Sequence, residues 1–260
     1  MSFVRWLTTG EADHIALVEL NRPEMRNAFN TRMAEELMDA FEAIKRSDSR
    51  VVLVRSTNPK AFCSGADLKE RNGMTETEWL AQHELFEKMF YTIADMPQPV
   101  IAVVEGYALA GGFELVLNCD FVVAAETAVF GLPEVTRGIM PGCGGTRLLA
   151  KRIGVHHAKE WVCTGRKVNA QEADHAGLLN RLTSSEALWN TALELAEQIA
   201  QNAPLSVQYS KAAVEALFGL EEEAARKKEL VFYHQCVNTE DRLEGVQAFV
   251  EKREPRFLGK

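Results

Sequence analysis

Gly106-Tyr107-Ala108-Leu109-Ala110-Gly111-Gly112-Phe113-Glu114 is the stretch on which the reading of this chain turns. The residues before it, Pro99-Val100-Ile101-Ala102-Val103-Val104, are continuously apolar and read as a buried strand. Phe113, Leu115, Val116 and Leu117 read as the start of a buried helix. A strand that turns through glycines into a helix leaves backbone N–H groups without intrahelical acceptors, facing whatever lies in front of the helix. Glu114 falls within one turn of those donors. The combination suits a site where negative charge develops on a substrate oxygen while a nearby carboxyl moves protons. The rest of the chain must supply the other half.

Working outward, 260 residues with 47% hydrophobic and 25% charged side chains can bury a full core. A formal net charge of −8 argues against a polyanion-binding surface, and the longest basic run, Arg226-Lys227-Lys228, follows acidic residues. No apolar run approaches the ~20 residues a membrane-spanning helix needs. The opening Met1-Ser2-Phe3-Val4-Arg5-Trp6 resembles neither a signal nor a transit peptide. Cysteines at 63, 119, 143, 163 and 236 are scattered, odd in number and without a CxxC pair, as expected of reduced thiols in a cytoplasmic protein.

His14 to Leu20 reads as a strand closed by Asn21-Arg22-Pro23, and Asn30 as the N-cap of a helix with Met33, Leu37, Phe41 and Ile44 on one face. Val51-Val52-Leu53-Val54 is a second strand, apolar enough to be covered on both sides. A polar loop, 58–70, follows. Thr75 and Glu78 have capping-box spacing at the start of a long helix that Pro97 stops. Residues 120–125 and 129–130 read as further strands, 169–177 as a short capped helix, and 178–182 as a last strand. Strands alternating with helices indicate an α/β fold. Helices dominate after Glu186, with a break at Asn202-Ala203-Pro204. The expected division is a core over 1–202 and a helical region over 203–260. The latter is too small and polar to stand alone, so it should pack on the core or on another subunit.

Three loops carry the candidate chemistry: 61–70, 106–114 and 131–146. Each follows a strand, and in α/β sheets such loops gather at one edge. Any one of them could be no more than a glycine turn; three, two of which deliver a glutamate, argue for a site. No P-loop or GxSxG elbow is present, and Gly142-Cys143-Gly144-Gly145-Thr146-Arg147 lacks the third glycine of a dinucleotide fingerprint. His156 and His157 are adjacent, and no HExxH spacing supports zinc. Cys63 has no nearby histidine and reads as a packed turn residue. Metal-free acid–base chemistry is what remains.

Ala61-Phe62-Cys63-Ser64-Gly65-Ala66-Asp67-Leu68-Lys69-Glu70, Gly106 to Glu114, and Phe130-Gly131-Leu132-Pro133-Glu134 resemble the three signature blocks of the enoyl-CoA hydratase/isomerase (crotonase) superfamily. Pro141-Gly142-Cys143-Gly144-Gly145-Thr146 is similar to the turn that follows them. Thr239-Glu240-Asp241-Arg242-Leu243-Glu244-Gly245 and Ala248-Phe249-Val250-Glu251-Lys252-Arg253 match its C-terminal pattern. The resemblance spans nearly the whole chain. It implies a spiral of ββα units with a helical C-terminal trimerisation region, and assembly as a homotrimer or as a hexamer of paired trimers.

It also implies site roles. The N–H groups of Ala66 and Gly111 would hold a thioester carbonyl oxygen, and Glu114 and Glu134 would share the proton transfers of adding water to a trans-2-enoyl-CoA. Coenzyme A would enter as part of the substrate, with no separate cofactor and no metal. Ala66, Asp67, Leu68, Lys69 and Gly111 would contact the acyl-CoA, and Phe249 and Lys252 would reach the coenzyme A of a neighbouring subunit. Isomerases of this type commonly keep only the second glutamate, so two glutamates point to a hydratase. Ala110 stands where many relatives have glycine, for which a slightly tighter turn is expected. The first block and the 239–245 run look particularly like methylglutaconyl-CoA hydratases, whose substrate would need a cation such as Arg71 or Arg137 in the acyl pocket. An enoyl-CoA isomerase and a non-catalytic acyl-CoA-binding protein are the other readings.

Overall fold

The computed structural model describes residues 2–10 and 14–260. Among the described residues ten strands form two sheets. The larger has the order β1-β2-β3-β5-β7-β10, from Val4–Thr9, Ile15–Leu20, Val51–Ser56, Val100–Val104, Phe121–Ala125 and Arg181–Thr183. The smaller has the order β4-β6-β8-β9, from Ala61–Cys63, Tyr107–Leu109, Val129–Gly131 and Val168–Asn169. Pairing is parallel except for β1 with β2 and β8 with β9.

Strands β2, β3 and β5 are near-continuous apolar runs because both faces of the large sheet are covered. Val52 and Val54 point into a core shared with helix α1 (Thr31–Lys45) and helix α3 (Glu76–Ala94). Val51 and Leu53, one residue out of phase, meet Leu188, Ala192 and Ala196 of α7 (Leu188–Ala200). Helix α1 starts as the sequence indicates, with the Asn30 side chain accepting from Met33 N–H. Thr75 and Glu78 close the capping box on α3.

The chain climbs by hopping between sheets. Strands β3, β5 and β7 of the large sheet are each followed by one of the small sheet, β4, β6 and β8, before helices carry the chain back. The short strands run parallel to one another, so their C-terminal ends share an edge. All three candidate loops leave from that edge.

Several elements differ from the sequence reading. The apolar strand β5 does not turn directly into a helix. Gly106, at φ 65°, turns it into the three-residue β6, and the helix α4 (Gly111–Asn118) begins only after that. A three-residue strand with Tyr107 exposed offers no periodicity to read. Likewise β4 and α2 (Leu68–Arg71) lie within the expected 58–70 loop. Strand β1, mostly exposed, was not expected. The last strand, β10, begins three residues later than expected, with Leu178 packed in the core ahead of it.

Beyond α5 (Gly145–Thr164) and α6 (Ala170–His175), the C-terminal region is helical: α8 (Pro204–Leu217), α9 (Glu222–Val237) and α10 (Glu240–Glu251). Lys211 on α8 ties it to the core through Asp120 and the carbonyls of Met96 and Gln98. Neither α8 nor α9 buries a residue, and Val214, Phe218, Val231, Tyr233 and Phe249 stand exposed. This is a large apolar surface for one chain.

Candidate active site

The first loop forms the mouth of the site. Phe29 N–H donates to the Gly65 carbonyl, and Asp67 N–H donates to the Phe29 carbonyl, both at 2.9 Å. In such a parallel bridge the residue between, Ala66, has its own N–H turned away from its neighbour. Gly65, at φ 92°, makes the turn; a Cβ there would come within 2.9 Å of Ala110 Cβ and 3.0 Å of Gly111 N. The first and second loops therefore touch where both candidate donors sit. Among the described residues, neither the Ala66 nor the Gly111 N–H donates to a protein acceptor. Both residues line a cavity of about 570 Å³.

Ala110 takes φ 50° and ψ −130°, a region L-residues rarely enter. Its N–H donates to the Gly131 carbonyl at 2.9 Å, and its carbonyl accepts from Phe113 and Glu114 N–H. The sequence reading expected only a tighter turn here. The structure instead holds a strained alanine, a state of order 1–3 kcal/mol above relaxed backbone, fixed from both sides and aiming Gly111 N–H at the cavity. Gly112 has no alternative: a Cβ would lie 2.1 Å from the Cys63 carbonyl oxygen.

Glu114, in the first turn of α4, is 4% exposed. Its Oε1 accepts from Cys143 N–H at 2.7 Å and Gly145 N–H at 2.9 Å, the latter at the start of α5. Burial raises the Glu114 pKa above the ordinary carboxylate range, against those two hydrogen bonds. Asn118 locks the arrangement, donating to the Glu114 and Cys143 carbonyls. Sequence reasoning missed Asn118, although an asparagine four residues after Glu114 in an otherwise apolar helix is a visible signal.

Glu134 sits in a 3-10 turn, Pro133–Arg137, just after β8, and is 8% exposed. Its Oε2 is buried with no hydrogen-bond partner. Burial pushes its pKa up to about 7, with the Glu114 charge adding in the same direction and Glu134's own backbone N–H opposing. The two carboxyls line the same cavity. They differ in kind: Glu114 is clamped by N–H groups that favour its anion, whereas Glu134 has one oxygen bare and favours its neutral form.

The other residues of the sequence reading are distributed as follows. Leu68 lines the cavity, while Lys69 is exposed on the same short helix and Asp67 does not face the cavity. Asp67 pairs with Arg22 at 2.8 Å and caps α2 by accepting from Lys69 N–H. Phe249 is 85% exposed, Lys252 ends α10 at φ 56°, and neither lines the cavity of its own chain. Cys63 is packed, its thiol donating to the Asn27 carbonyl and its pKa pushed by burial to about 12. Both Arg71 and Arg137 line the cavity; Arg137 is exposed and bonded to Thr136.

The sequence profile described as enoyl-CoA hydratase/isomerase matches residues 10–260. The chain belongs to that family. Among curated members it is 41% identical over 254 residues to "Probable enoyl-CoA hydratase 2, mitochondrial" of Arabidopsis thaliana, covering 96% of this chain and 84% of the relative. It is 38% identical over 255 residues to "2,3-dehydroadipyl-CoA hydratase" of Escherichia coli K12, covering 98% and 99%. The crystal structure of enoyl-CoA hydratase from Bacillus anthracis superposes with a TM-score of 0.95 at 39% identity, covering 99% and 100%. The fold is therefore that of the enoyl-CoA hydratase/isomerase family, helical C-terminal region included. Among the described residues no helix is long and apolar enough to cross a membrane.

Proposed function

We propose that the protein hydrates trans-2-enoyl-CoA thioesters to 3-hydroxyacyl-CoA, reversibly and with syn geometry. One observation carries this reading: two buried carboxyls, one clamped by two backbone N–H groups and the other with a bare oxygen, line a cavity whose wall also offers two N–H groups without protein acceptors among the described residues.

The thioester oxygen accepts from Ala66 and Gly111 N–H. Protonating the α-carbon of an enoyl thioester while oxygen attacks the β-carbon passes through enolate charge on that oxygen, and each preplaced donor is worth about 3–4 kcal/mol there. Glu134, neutral below about pH 7, gives its proton to the α-carbon. Glu114, with Oε1 fixed by Cys143 and Gly145, takes a proton from water at its other oxygen as the water oxygen bonds the β-carbon. The C=C π bond, the Glu134 O–H bond and one water O–H bond break, and the α-C–H, β-C–O and Glu114 O–H bonds form. The proton then on Glu114 returns to Glu134 before the next turnover, so the pair titrates as a unit. Coenzyme A belongs to the substrate, and no separate cofactor has a step.

An isomerase needs a single carboxyl to carry a proton between carbons, so the second clamped carboxylate favours hydration. We also infer that α8–α10 seat a homotrimer, or a hexamer of paired trimers, with Phe249 and Lys252 near a neighbouring subunit's coenzyme A. The exposed apolar side chains of that region support this. The five cysteines are unpaired, which suits a reducing compartment such as the cytoplasm.

Hydration of crotonyl-CoA, followed by loss of enoyl absorbance, tests the reading. Wild-type protein turns it over, and Glu134→Gln and Glu114→Gln each lower the rate by about 10²–10⁴ without loss of folding. Near-wild-type turnover by either variant sinks the assignment, and coenzyme A binding without any turnover favours a non-catalytic role.

A further inference from the structure

Hydration gives no task to any of the five thiols. Three of them are taken up by the backbone: Cys63, Cys119 and Cys236 donate to the carbonyls of Asn27, Leu115 and Phe232. Cys163 is exposed on α5 and does not line the cavity. Of the five, Cys143 alone lines the cavity that holds Glu114 and Glu134, and among the described residues its sulfur has no hydrogen-bond partner.

The backbone of Cys143 is pinned on both sides. Its N–H donates to Glu114 Oε1 at 2.7 Å, and its carbonyl accepts from Asn118 at 3.2 Å. Gly142 before it is packed against His83, where a Cβ would come within 2.6 Å of the ring; a Cβ on Gly145 would come within 2.9 Å of Glu114 Oε1. The turn has no room to swing, so the thiol is held beside the carboxyl assigned to activate water. Independently of the cysteine, the same cavity is built to receive a molecule. Glu134 is more than nine-tenths buried with Oε2 unpartnered, and the Ala66 and Gly111 N–H groups are open.

By itself this thiol is quiet. Burial, with the charges of Glu114, Glu87 and Glu134, raises its pKa against the opposing charge of Arg71, so it keeps its proton at neutral pH. A protonated thiol is a poor nucleophile toward reagents arriving from solution. A thiol is still a stronger acid than water, whose pKa is about 15.7, and sulfur is the better nucleophile. A base that takes a proton from water during attack on a β-carbon can take one from an S–H group in the same place.

Building on the hydratase reading, we infer that Cys143 is a covalent modification site for small 2-enoyl-CoA thioesters, its sulfur adding to the β-carbon in place of water. The S–H bond, the C=C π bond and the Glu134 O–H bond break, and the S–Cβ, α-C–H and Glu114 O–H bonds form. No oxidant or further reactant is consumed. The product is a thioether that fills the cavity and stops turnover.

Acryloyl-CoA, whose β-carbon carries no substituent, is the probe, and acrylamide, the same vinyl carbonyl without coenzyme A, is the control. Each is incubated with the protein, and peptide mass spectrometry follows labelling at every cysteine. Acryloyl-CoA should label Cys143 at least about tenfold faster than any other cysteine, with hydration activity falling in step, because only there are thiol, base and bound electrophile brought together. Acrylamide should show no preference for Cys143. Saturated butyryl-CoA should protect Cys143, and Glu114→Gln should slow its labelling by acryloyl-CoA at least about tenfold. No adduct at Cys143, equal labelling of Cys163 by acryloyl-CoA, or a Cys143 preference shared by acrylamide overturns the inference. So does a folded Glu114→Gln variant labelled at the wild-type rate. Labelling of Cys143 in a protein that hydrates no enoyl-CoA keeps the inference and rejects hydration; turnover of crotonyl-CoA with no label at Cys143 does the reverse.

Discussion

Replacing Glu134 with glutamine should stabilise the protein above neutral pH even as it lowers the proposed hydration activity. Burial, reinforced by the Glu114 charge, lifts the Glu134 carboxyl from 4.5 to about 7. A carboxyl whose pKa rises on folding favours the folded state in its protonated form. That contribution is complete below pH 4.5, where the unfolded chain is protonated too, and is lost as pH rises through about 7, where the folded chain must ionise a buried group. Glutamine keeps the neutral shape at every pH. At about 1.4 kcal/mol per pH unit, the interval from 4.5 to about 7 sets a ceiling of about 3 kcal/mol. The carboxyl lines an open cavity that water can enter, so about 1–2 kcal/mol is the expected gain. For a chain of this size that is a rise in Tm of roughly 2–8 °C. Thermal unfolding of both proteins at pH 8.5 and pH 5, at one fixed protein concentration because assembly adds to apparent stability, reads it out. At pH 5 only about a quarter of the gain should remain, since the folded wild type is then protonated. An equal gain at both pH values, or none at pH 8.5, refutes the idea that Glu134 stays neutral through its burial.

Other expectations follow from the same geometry. Hydration kcat/KM should fall tenfold per pH unit above about pH 7 as Glu134 loses its proton, and should also fall at acid pH as Glu114 gains one; a flat profile from pH 6 to 9 removes Glu134 as the acid. Ala110→Gly should raise stability by roughly 0.5–2 kcal/mol, strain relief outweighing the chain entropy of glycine, and a lower Tm would show that φ 50° is not strained here. Gly112→Ala should prevent folding to soluble protein, because its Cβ would overlap the Cys63 carbonyl at 2.1 Å; a folded, active variant would contradict the packing of α4 against β4.

What could be read in the sequence is what leaves a composition or period behind. The strands β2, β3, β5 and β7 announce themselves as apolar runs, and α1 and α3 by their caps and apolar faces. Elements of two or three residues, such as β4, β6 and β9, are too short to carry a period, so the hop between sheets was invisible except through family resemblance. Glu114 was conspicuous as a charge in an apolar helix, but its clamp was not, because the donors are the N–H groups of Cys143 and Gly145, 29 and 31 residues away. Asp67 shows the converse: it stands in a signature block, yet its visible contacts are Arg22 and the cap of α2.

The division of labour between backbone and side chain explains why a glycine turn alone said so little. In the proposed mechanism the oxyanion donors are main-chain groups, so residues 66 and 111 need only be small, and their direction is set by others. The Phe29 bridge turns Ala66 N–H outward, and the strained Ala110, pinned to the Gly131 carbonyl, aims that of Gly111. The same Ala110–Gly131 bond joins the second loop to the strand that delivers Glu134. Moving this turn would therefore pull on Glu134 as well. A lesion at Gly131 or Ala110 should disturb carbonyl binding and proton transfer together, whereas one at Asn118 or Gly145 should act on the Glu114 clamp and leave the donors in place.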